Sequence, residues 1–391
     1  MRQTRPTVRA VTRRAALLRL GTLPLLLAGC GAVAPALPEA QLTVSEALAG
    51  TGDARFAKVL APREFRFPAD HGPHPEFAAE WWYYTGNLAS SNGDRYGFQL
   101  TFFRFGLTPE ALQRASTLAP QGIAMAHFAV SDVVQRRFVA TERFSRIAGG
   151  LADAQAAPFR VWLDDWQASG PQDTFPMRLQ AQQDDVAIDL TLAAGKPIVL
   201  QGDRGLSQKS AEPGNASYYY SLTRMPAAGT IRSGGRDVQV SGDAWMDREW
   251  STSALGENQV GWDWFALHLD DGRDIMFYQL RLRDGTTDPY SKGVLVATDG
   301  STQPLLADEV KLTPERRWRS PRSGAEYPIG WRLAAPAHGL DLRIDAQIDD
   351  QELPVTIIYW EGTVRVSGSA GGYGYLEMTG YTESGVGRAP R

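Results

Sequence analysis

Aromatic side chains are the residues of this chain best suited to contact an apolar ligand. Trp81, Trp82, Tyr83 and Tyr84 are consecutive, and in a β-strand successive side chains point to opposite faces. One pair would then face the interior of a barrel, and the other pair the outside or a second domain. We expect Trp81, Trp82 and Tyr84, together with Trp264, to form the walls of a ligand site. Packing in a core is the alternative role for at least two of them.

The polar side chains that could act in chemistry are few. His127 lies in a predicted strand and is either a ligand contact or a hydrogen-bonded core group. Asp247 belongs to the triplet Asp247-Arg248-Glu249, which is either a charged turn at a domain junction or the source of a catalytic carboxyl. A carboxyl group buried in apolar surroundings keeps its proton to higher pH and can donate it to a substrate. Glu80 could pair with Arg104.

Composition argues against several classes of function. Lys and Arg total 40 and Asp and Glu total 44, and residues 1–29 hold six Arg and no acid, so 34 basic residues remain from Cys30 onward. This acidic excess argues against a nucleic acid as partner, because phosphate binding needs a basic surface. The single Cys and the five scattered His argue against a metal site. With no phosphate-binding loop in the sequence, we expect neither a metal nor a cofactor.

The first thirty residues are typical of an export signal. A basic segment with the pair Arg13-Arg14 precedes a short apolar stretch that ends in Leu27-Ala28-Gly29-Cys30. We predict a signal peptide over residues 1–29, whose arginine pair resembles a twin-arginine signal. The last four residues resemble a bacterial lipobox, which predicts lipidation of Cys30 and a flexible tether over residues 30–60. The protein is therefore expected in the cell envelope, periplasmic and lipid-anchored to a membrane, with the outer membrane favoured.

The rest of the chain has the alternating pattern of β-strands. Apolar and polar residues alternate in short runs bounded by turn residues, and no long stretch has helical spacing. The clearest hairpin joins Trp264–Leu269 to Asp274–Leu280, and a short helix is expected around Pro109–Ser116. Further strands are predicted at Tyr96–Phe105, Ile123–Val130, Arg137–Phe144, Phe159–Ala168, Val186–Ala193, Asp237–Trp245, Trp331–Ala334, Leu340–Gln347, Thr356–Val366 and Gly374–Thr379. This pattern predicts an all-β fold of barrels or sandwiches.

An internal repeat divides this part of the chain in two. The hairpin of Trp81–Arg104 resembles the hairpin of Trp262–Arg283, because both begin with aromatic residues, turn at a Gly and contain the sequence aromatic-Gln-Leu. A repeat spaced by about half the chain predicts two similar domains. We place these domains at residues 61–240 and 241–385, with the junction in the Gly-rich stretch Gly229–Gly256.

Long motifs spread over the chain carry a family resemblance. They are Glu80–Leu88, Tyr96–Arg104, Ala126–Asp132, Gly242–Trp250 and Gly372–Tyr381, and together they resemble the AttH and carotenoid 1,2-hydratase (CrtC) family. The resemblance implies two lipocalin-like (calycin) antiparallel β-barrel domains in tandem. It also implies an exported bacterial protein, in some members associated with an ABC-transporter permease. One branch of the family adds water to an isoprenoid double bond of carotenoids without a cofactor.

The resemblance also implies a set of catalytic residues. The hydratase branch has a His-x-Trp element followed by Tyr-x-Asp. These positions fall on Tyr218, Tyr220, Trp245 and Asp247 here, and only Asp247 keeps the residue type of the pattern. Asp247 would then donate a proton, Tyr220 and Trp245 would line the cation, and Tyr218 would position water. Two functions remain open: binding of a hydrophobic lipid or isoprenoid-like ligand, with a role beside an ABC transporter, or hydration of an isoprenoid C=C bond.

Overall fold

The structure, a computed structural model, describes residues 55–109, 120–252 and 255–382. In these ranges the chain is almost entirely β, with two short 3-10 helices, η1 (Ala69–His71) and η2 (Pro336–His338). No helix in the described ranges is long and apolar enough to cross a membrane. The predicted signal peptide with Cys30, and nearly all of the helix expected around Pro109–Ser116, lie outside the described residues.

The first sheet contains thirteen antiparallel strands in the described ranges. They are β1 (Ala79–Ser90), β2 (Arg95–Gly106), β3 (Gly122–Asp132), β4 (Arg137–Arg146), β5 (Ala152–Gln155), β6 (Arg160–Leu163), β7 (Trp166–Ser169), β8 (Met177–Gln183), β9 (Val186–Leu192), β10 (Val199–Leu200), β11 (Leu206–Gln208), β12 (Ala216–Ser233) and β13 (Arg236–Ser251). Their order is β4-β3-β2-β1-β13-β12-β9-β8-β7-β6-β5, and β10 and β11 pair with β12. The sheet curls, so that β6 near one edge approaches β2, β3 and β4 at the other.

The second sheet contains ten antiparallel strands, again counted over the described residues. They are β14 (Gln259–Leu269), β15 (Asp274–Leu282), β16 (Lys292–Val296), β17 (Thr302–Leu306), β18 (Lys311–Arg319), β19 (Glu326–Ala335), β20 (Leu340–Ala346), β21 (Glu352–Leu353), β22 (Tyr359–Gly368) and β23 (Gly372–Met378). Their order is β17-β16-β15-β14-β23-β22-β20-β19-β18, and β21 pairs with β22. The prediction of two lipocalin-like antiparallel barrels in tandem is therefore confirmed.

The two sheets share a topology that matches the repeated hairpin. The first strand of each sheet lies in the middle, paired on one side with the second strand and on the other with the last. In the first sheet β1 pairs with β2 and β13, and in the second β14 pairs with β15 and β23. The two similar hairpins in the sequence therefore occupy equivalent central positions.

Side chains fill the interior of each curled sheet. Strand β9 shows why side chains of one face fill the interior. Its apolar residues alternate along the strand and are buried, whereas Asp189 between them is exposed. The buried residues are Val186, Ile188, Leu190 and Leu192. In the first sheet the core includes residues from strands near both edges, such as Phe128 and Trp166, whose rings are 5.5 Å apart. The second core is built in the same way from strands of the second sheet. Most of the apolar residues of both barrels are therefore used for packing.

Three local features differ from the pattern expected from the sequence. Phe159–Ala168 is not one strand but the hairpin of β6 and β7, because Asp164 adopts a positive φ of 54° and turns the chain. The predicted domain boundary between residues 240 and 241 falls inside β13. This strand belongs as a whole to the first sheet, so the first sheet ends at Ser251. Residues 55–60, assigned to the flexible tether, are packed onto the fold, because Phe56 and Val59 are buried.

Candidate functional site

A cavity lies between the two curled sheets rather than inside either one. Its walls come from β1, β2, β3, β12 and β13 of the first sheet and from β14, β15, β22 and β23 of the second. The volume is about 140 Å³. A cavity of about 150 Å³ holds a benzene-sized molecule, so this one fits one functional end of a ligand rather than a whole carotenoid.

Asp247 lies at the wall contributed by the first sheet. Its Oδ1 accepts hydrogen bonds from the Ser221 hydroxyl at 2.6 Å and from Trp245 Nε1 at 2.7 Å, and its Oδ2 is bonded to the Tyr219 hydroxyl. Burial raises the pKa of Asp247 to about 7, although these three hydrogen bonds oppose the shift. At neutral pH the site therefore contains a carboxyl group that can both hold and release a proton.

Aromatic rings surround this carboxyl. The Trp264 ring packs edge-on against Tyr83, with 5.1 Å between the ring centroids, and its Nε1 donates to the Tyr219 hydroxyl at 3.3 Å. Tyr83 is also the residue paired with Asp247 across β1 and β13. Trp81 lines the cavity two residues earlier on the same face of β1. The carboxyl thus faces π-systems, which stabilise positive charge on a nearby atom.

The second sheet contributes two further carboxyl groups. Glu361 Oε1 accepts a hydrogen bond from the Tyr83 hydroxyl at 2.6 Å, and Glu377 Oε1 accepts one from Trp262 Nε1 at 3.0 Å. Burial raises the pKa of Glu361 well above its ordinary value, and the neighbouring Glu377 raises it further. Burial also raises the pKa of Glu377 to about 8. Both groups therefore hold their protons at neutral pH, which keeps this wall uncharged.

One ion pair borders the cavity. Lys209 Nζ lies 3.0 Å from Glu249 Oε1 and 4.6 Å from the centroid of the Tyr278 ring. Burial would lower the pKa of Lys209, but Glu249, together with Tyr278 and Asp247, more than compensates and the pKa is raised. The ammonium group is therefore held charged beside the aromatic wall and balances the carboxylate next to it.

His127 belongs to a polar cluster at the same cavity. Its Nδ1 lies 2.8 Å from the Tyr359 hydroxyl, which also accepts a hydrogen bond from Gln99 Nε2 at 3.0 Å. The other ring nitrogen, Nε2, faces Glu142 Oε2 at 3.7 Å. Burial lowers the pKa of His127, against the opposing effect of Glu142. The imidazole is therefore a hydrogen-bonding group in the wall of the cavity.

The structure brings five of the residues singled out in the sequence together at this cavity. Trp81, His127, Trp264 and Asp247 line it, and Trp245 lies directly behind Asp247 as a hydrogen-bond donor. The four other residues singled out as catalytic or ligand-binding point elsewhere.

Tyr218 and Tyr220 lie on the face of β12 that turns away from the cavity. The Tyr218 hydroxyl donates to the carbonyl of Ala61 at 2.9 Å, and the Tyr220 hydroxyl is 2.6 Å from His71 Nδ1. Strand alternation is the physical reason, since it sends Tyr219, the residue between them, to the cavity instead. The structure therefore does not place the predicted water-positioning and cation-lining tyrosines beside Asp247.

Trp82 and Tyr84 belong to the core of the first barrel. Both are almost fully buried there, and Trp82 Nε1 donates to the carbonyl of His71 at 2.8 Å. They alternate on β1 with Trp81 and Tyr83, which face the cavity. These two residues are therefore packing residues by position, and they do not contact the proposed ligand space.

The face of β1 and β13 behind the cavity carries a buried ion network. Glu80 forms ion pairs with Arg104, which lies opposite it on β2, and with Arg248, which lies diagonally from it on β13. Burial alone would raise the pKa of Glu80, but the two guanidinium groups hold it well below its ordinary value. The Arg248 guanidinium also lies over the Trp82 ring at 3.9 Å. The network fixes β1 against β13 and so positions Asp247 on the opposite face.

Several cavity residues have no counterpart among those chosen from the sequence. Strict period-two alternation from Trp81 indicates Tyr83 rather than Trp82 and Tyr84. Tyr219 has no such signal, because it pairs with Glu249 across β12 and β13 and reaches Asp247 diagonally through its hydroxyl. No local pattern, however, distinguishes Glu361, Glu377 or the other polar residues of the second sheet from ordinary outward-facing strand residues. In the described residues no group of three or more His, Cys, Asp or Glu could hold a metal ion.

Comparisons with known proteins agree with this architecture. None of the curated proteins compared matches the chain. Among solved structures, kievitone hydratase from Nectria haematococca is 16% identical over 83% of this chain and 96% of its own, with a TM-score of 0.63, which shows a common fold. A protein described as AttH from Nitrosomonas europaea is 35% identical over 83% of this chain and 99% of its own, with a TM-score of 0.76. The AttH-like family model matches residues 58–381, and the chain belongs to this family.

Proposed function

We propose that this protein adds water to a carbon–carbon double bond of an isoprenoid-type substrate without a cofactor. One observation carries the proposal: burial raises the pKa of Asp247 to about 7 in a cavity walled by aromatic rings. Hydration of an isolated alkene needs a proton donor and surroundings that tolerate a tertiary cation. Asp247 meets the first need, and the aromatic rings of Trp264 and Tyr83 in the cavity wall meet the second.

Asp247 alone supplies the proton that the proposed reaction needs, and it recovers a proton at the end. The Asp247 carboxyl donates its proton to the less substituted alkene carbon, so that a C–H bond forms as the π bond breaks and the positive charge develops on the other carbon. A water molecule adds to that carbon, and its extra proton returns to the Asp247 carboxylate. The hydroxyl of Tyr219 and Nε1 of Trp245 hold the carboxylate in place during this exchange.

The neutral second wall favours this chemistry over binding of a charged ligand. Glu361 and Glu377 keep their protons because burial raises the pKa of both. The common fold with kievitone hydratase is consistent with hydration chemistry, although it is the residues around Asp247 that support the proposal for this chain.

Incorporation of ¹⁸O tests the proposal. The purified protein is incubated in H₂¹⁸O with isoprenoid alkenes that end in a trisubstituted double bond, and the products are analysed by mass spectrometry. Asp247→Asn keeps the shape and removes the acid, so turnover should fall by about 10²- to 10⁴-fold. Tyr220→Phe, on the opposite face of β12, is the matched control and should retain turnover. Equal rates for Asp247→Asn and the parent would exclude Asp247 from the mechanism.

Ligand binding without chemistry is the second candidate, and the mostly apolar walls of the cavity favour it. The protein would then hold the apolar end of a lipid or isoprenoid and serve as an accessory to an ABC transporter. Tryptophan fluorescence should respond to such ligands, because Trp81 and Trp264 line the cavity. Saturable binding with no ¹⁸O product from any alkene would favour this function over hydration.

The proposed location follows from the leader sequence. Export through the twin-arginine signal and lipidation of Cys30 would place the protein in the periplasm, anchored to the outer membrane. Cys30→Ala should move the protein from the membrane fraction to the soluble fraction or leave it unprocessed. Replacement of Arg13-Arg14 by Lys-Lys should block export. Membrane attachment that survives Cys30→Ala would exclude the lipid anchor, and normal export of the Lys-Lys variant would exclude the twin-arginine route.

A further inference from the structure

The polar cluster in the cavity contains side-chain atoms that lack a partner. Gln99 and Glu361 are each 1% exposed, and both line the cavity. Gln99 Oε1 and Glu361 Oε2 have no hydrogen-bond partner within the described part of the protein. A buried polar atom without a partner costs a large part of its hydration free energy. These two atoms therefore need a bonding group that enters the cavity.

The two atoms belong to one local arrangement. Gln99 Nε2 is 3.0 Å from the Tyr359 hydroxyl and 3.1 Å from the Thr101 hydroxyl, and Tyr359 lies two residues before Glu361 on the same face of β22. His127 Nδ1 completes the cluster at 2.8 Å from the Tyr359 hydroxyl. The side chains are thus held from three strands, and three atoms of the cluster have no hydrogen-bond partner: Gln99 Oε1, Glu361 Oε2 and His127 Nε2, the last of which faces Glu142 Oε2 at 3.7 Å.

The orientation of the Gln99 amide and the proton on Glu361 decide which bonds the missing partner must form. The Tyr83 hydroxyl donates to Glu361 Oε1, so the proton that Glu361 retains lies on Oε2 and can be donated to a ligand. Gln99 Oε1 is an acceptor. If the Gln99 amide is turned over, its Nε2 becomes the atom without a partner and the ligand must accept from it. A hydroxyl group satisfies either arrangement, whereas a hydrocarbon satisfies neither.

We propose that the cavity selects an alcohol, whose hydroxyl group bonds to Gln99 and Glu361 while its apolar body lies against the aromatic wall. The substrate class is then a hydroxylated isoprenoid rather than a pure hydrocarbon. The inference rests on the proposed function only in placing the alkene of this molecule at Asp247. The hydroxyl subsite itself depends on the geometry of Gln99 and Glu361.

Matched ligands measure the contribution of the hydroxyl. Geraniol and 2,6-dimethylocta-2,6-diene differ only in that group, and farnesol with its deoxy analogue provides a longer pair. Binding is followed by tryptophan fluorescence of the full protein. A site that leaves buried polar groups unpaired discriminates strongly against the ligand that lacks the partner. In at least one pair, the alcohol should bind at least tenfold more tightly than the hydrocarbon.

Two substitutions and one conservative control test whether Gln99 and Glu361 cause the preference for the alcohol over the hydrocarbon. Gln99→Leu and Glu361→Leu each remove one bonding atom, so each should reduce the preference for the alcohol to less than threefold. Glu361→Gln retains an N–H donor at the same place and should keep most of the preference. Circular dichroism and melting temperature identify the folded variants, and Gln99→Leu carries the test if Glu361→Leu does not fold.

The outcomes separate this inference from the proposed function. Loss of the preference in the Leu variants, with its retention in Asp247→Asn, supports the hydroxyl subsite even if no alkene is ever hydrated. An equal affinity for alcohol and hydrocarbon in both pairs overturns the hydroxyl subsite. Gln99 Oε1 and Glu361 Oε2 would then bond only to a fixed water molecule. A preference that persists in Gln99→Leu and Glu361→Leu also overturns it. In either case, measured hydration of the hydrocarbons would leave the role of Asp247 intact.

Discussion

Replacing Asp247 by Asn should stabilise the protein at neutral and alkaline pH while it removes activity. The ordinary pKa of an Asp carboxyl is 3.8, and burial raises that of Asp247 to about 7. Between these two pH values the unfolded chain loses this proton and the folded protein keeps it. The stability that depends on the neutral carboxyl is therefore complete below pH 3.8 and falls as the pH rises to about 7.

The size of this loss follows from the shift. One pKa unit corresponds to about 1.4 kcal/mol, so a shift of about three units lowers the free energy of unfolding by about 4 kcal/mol across this range. Asn does not titrate. Its carbonyl can accept the bonds that Ser221 and Trp245 donate to Oδ1, and its NH₂ group can donate to Tyr219 at the position of Oδ2. The variant should therefore escape the loss, with the bond to Tyr219 reversed in direction relative to the parent, where the Tyr219 hydroxyl donates.

Urea unfolding at several pH values from 4 to 8 measures the effect. The other titrating groups are common to both proteins, so the quantity of interest is the difference in the free energy of unfolding between the parent and Asp247→Asn. That difference should move in favour of the variant by about 4 kcal/mol as the pH rises. Parallel pH curves for the two proteins would refute the raised pKa and, with it, the assignment of Asp247 as a proton donor near neutral pH.

Three further predictions concern the two faces of the central strands. Tyr219→Phe removes a hydrogen bond that lowers the pKa of Asp247, so the decline of kcat at high pH should move to higher pH. Trp82→Ala should reduce the free energy of unfolding by about 3–5 kcal/mol because it opens a cavity in the core, whereas Trp81→Ala should weaken ligand binding at a smaller cost in stability. Glu80→Gln should destabilise the protein by about 3–5 kcal/mol in urea unfolding at pH 7, because it leaves the buried Arg248 and the partly buried Arg104 without their carboxylate.

Strand positions and strand faces are the features that the sequence predicts well. Alternation of apolar and polar residues identifies β9 to within one residue, and the hairpin of β14 and β15 except for the first five residues of β14 and the last two of β15, because each strand buries one face in its own barrel. The same rule fails for Phe159–Ala168, where a turn at Asp164 and Asp165 interrupts an apolar run. A turn formed by acidic residues without Gly gives a weak sequence signal.

The composition of the cavity is harder to predict for a physical reason. Trp81 and Asp247 lie on the side of the first sheet that its own barrel does not bury, and the residues that cover them come from the second sheet. Nothing within residues 359–361 indicates that they meet β2, because that contact depends on how two complete sheets pack. Cavity residues that meet only when the two sheets pack together therefore cannot be identified as site residues until the fold is known.

The position of the cavity explains why two barrels occur in one chain. A lipocalin-like barrel can hold a ligand in its interior only if the interior is open, and here Trp82, Tyr84 and Trp166 fill the first interior while Trp331 and Trp360 fill the second. The ligand space lies instead where the outer faces of the two sheets meet. One sheet supplies Asp247 and the other supplies Glu361 and Glu377, and the raised pKa values of all three depend on burial. Since that burial requires both sheets, a proton donor active near neutral pH would be a property of the pair and not of either barrel alone.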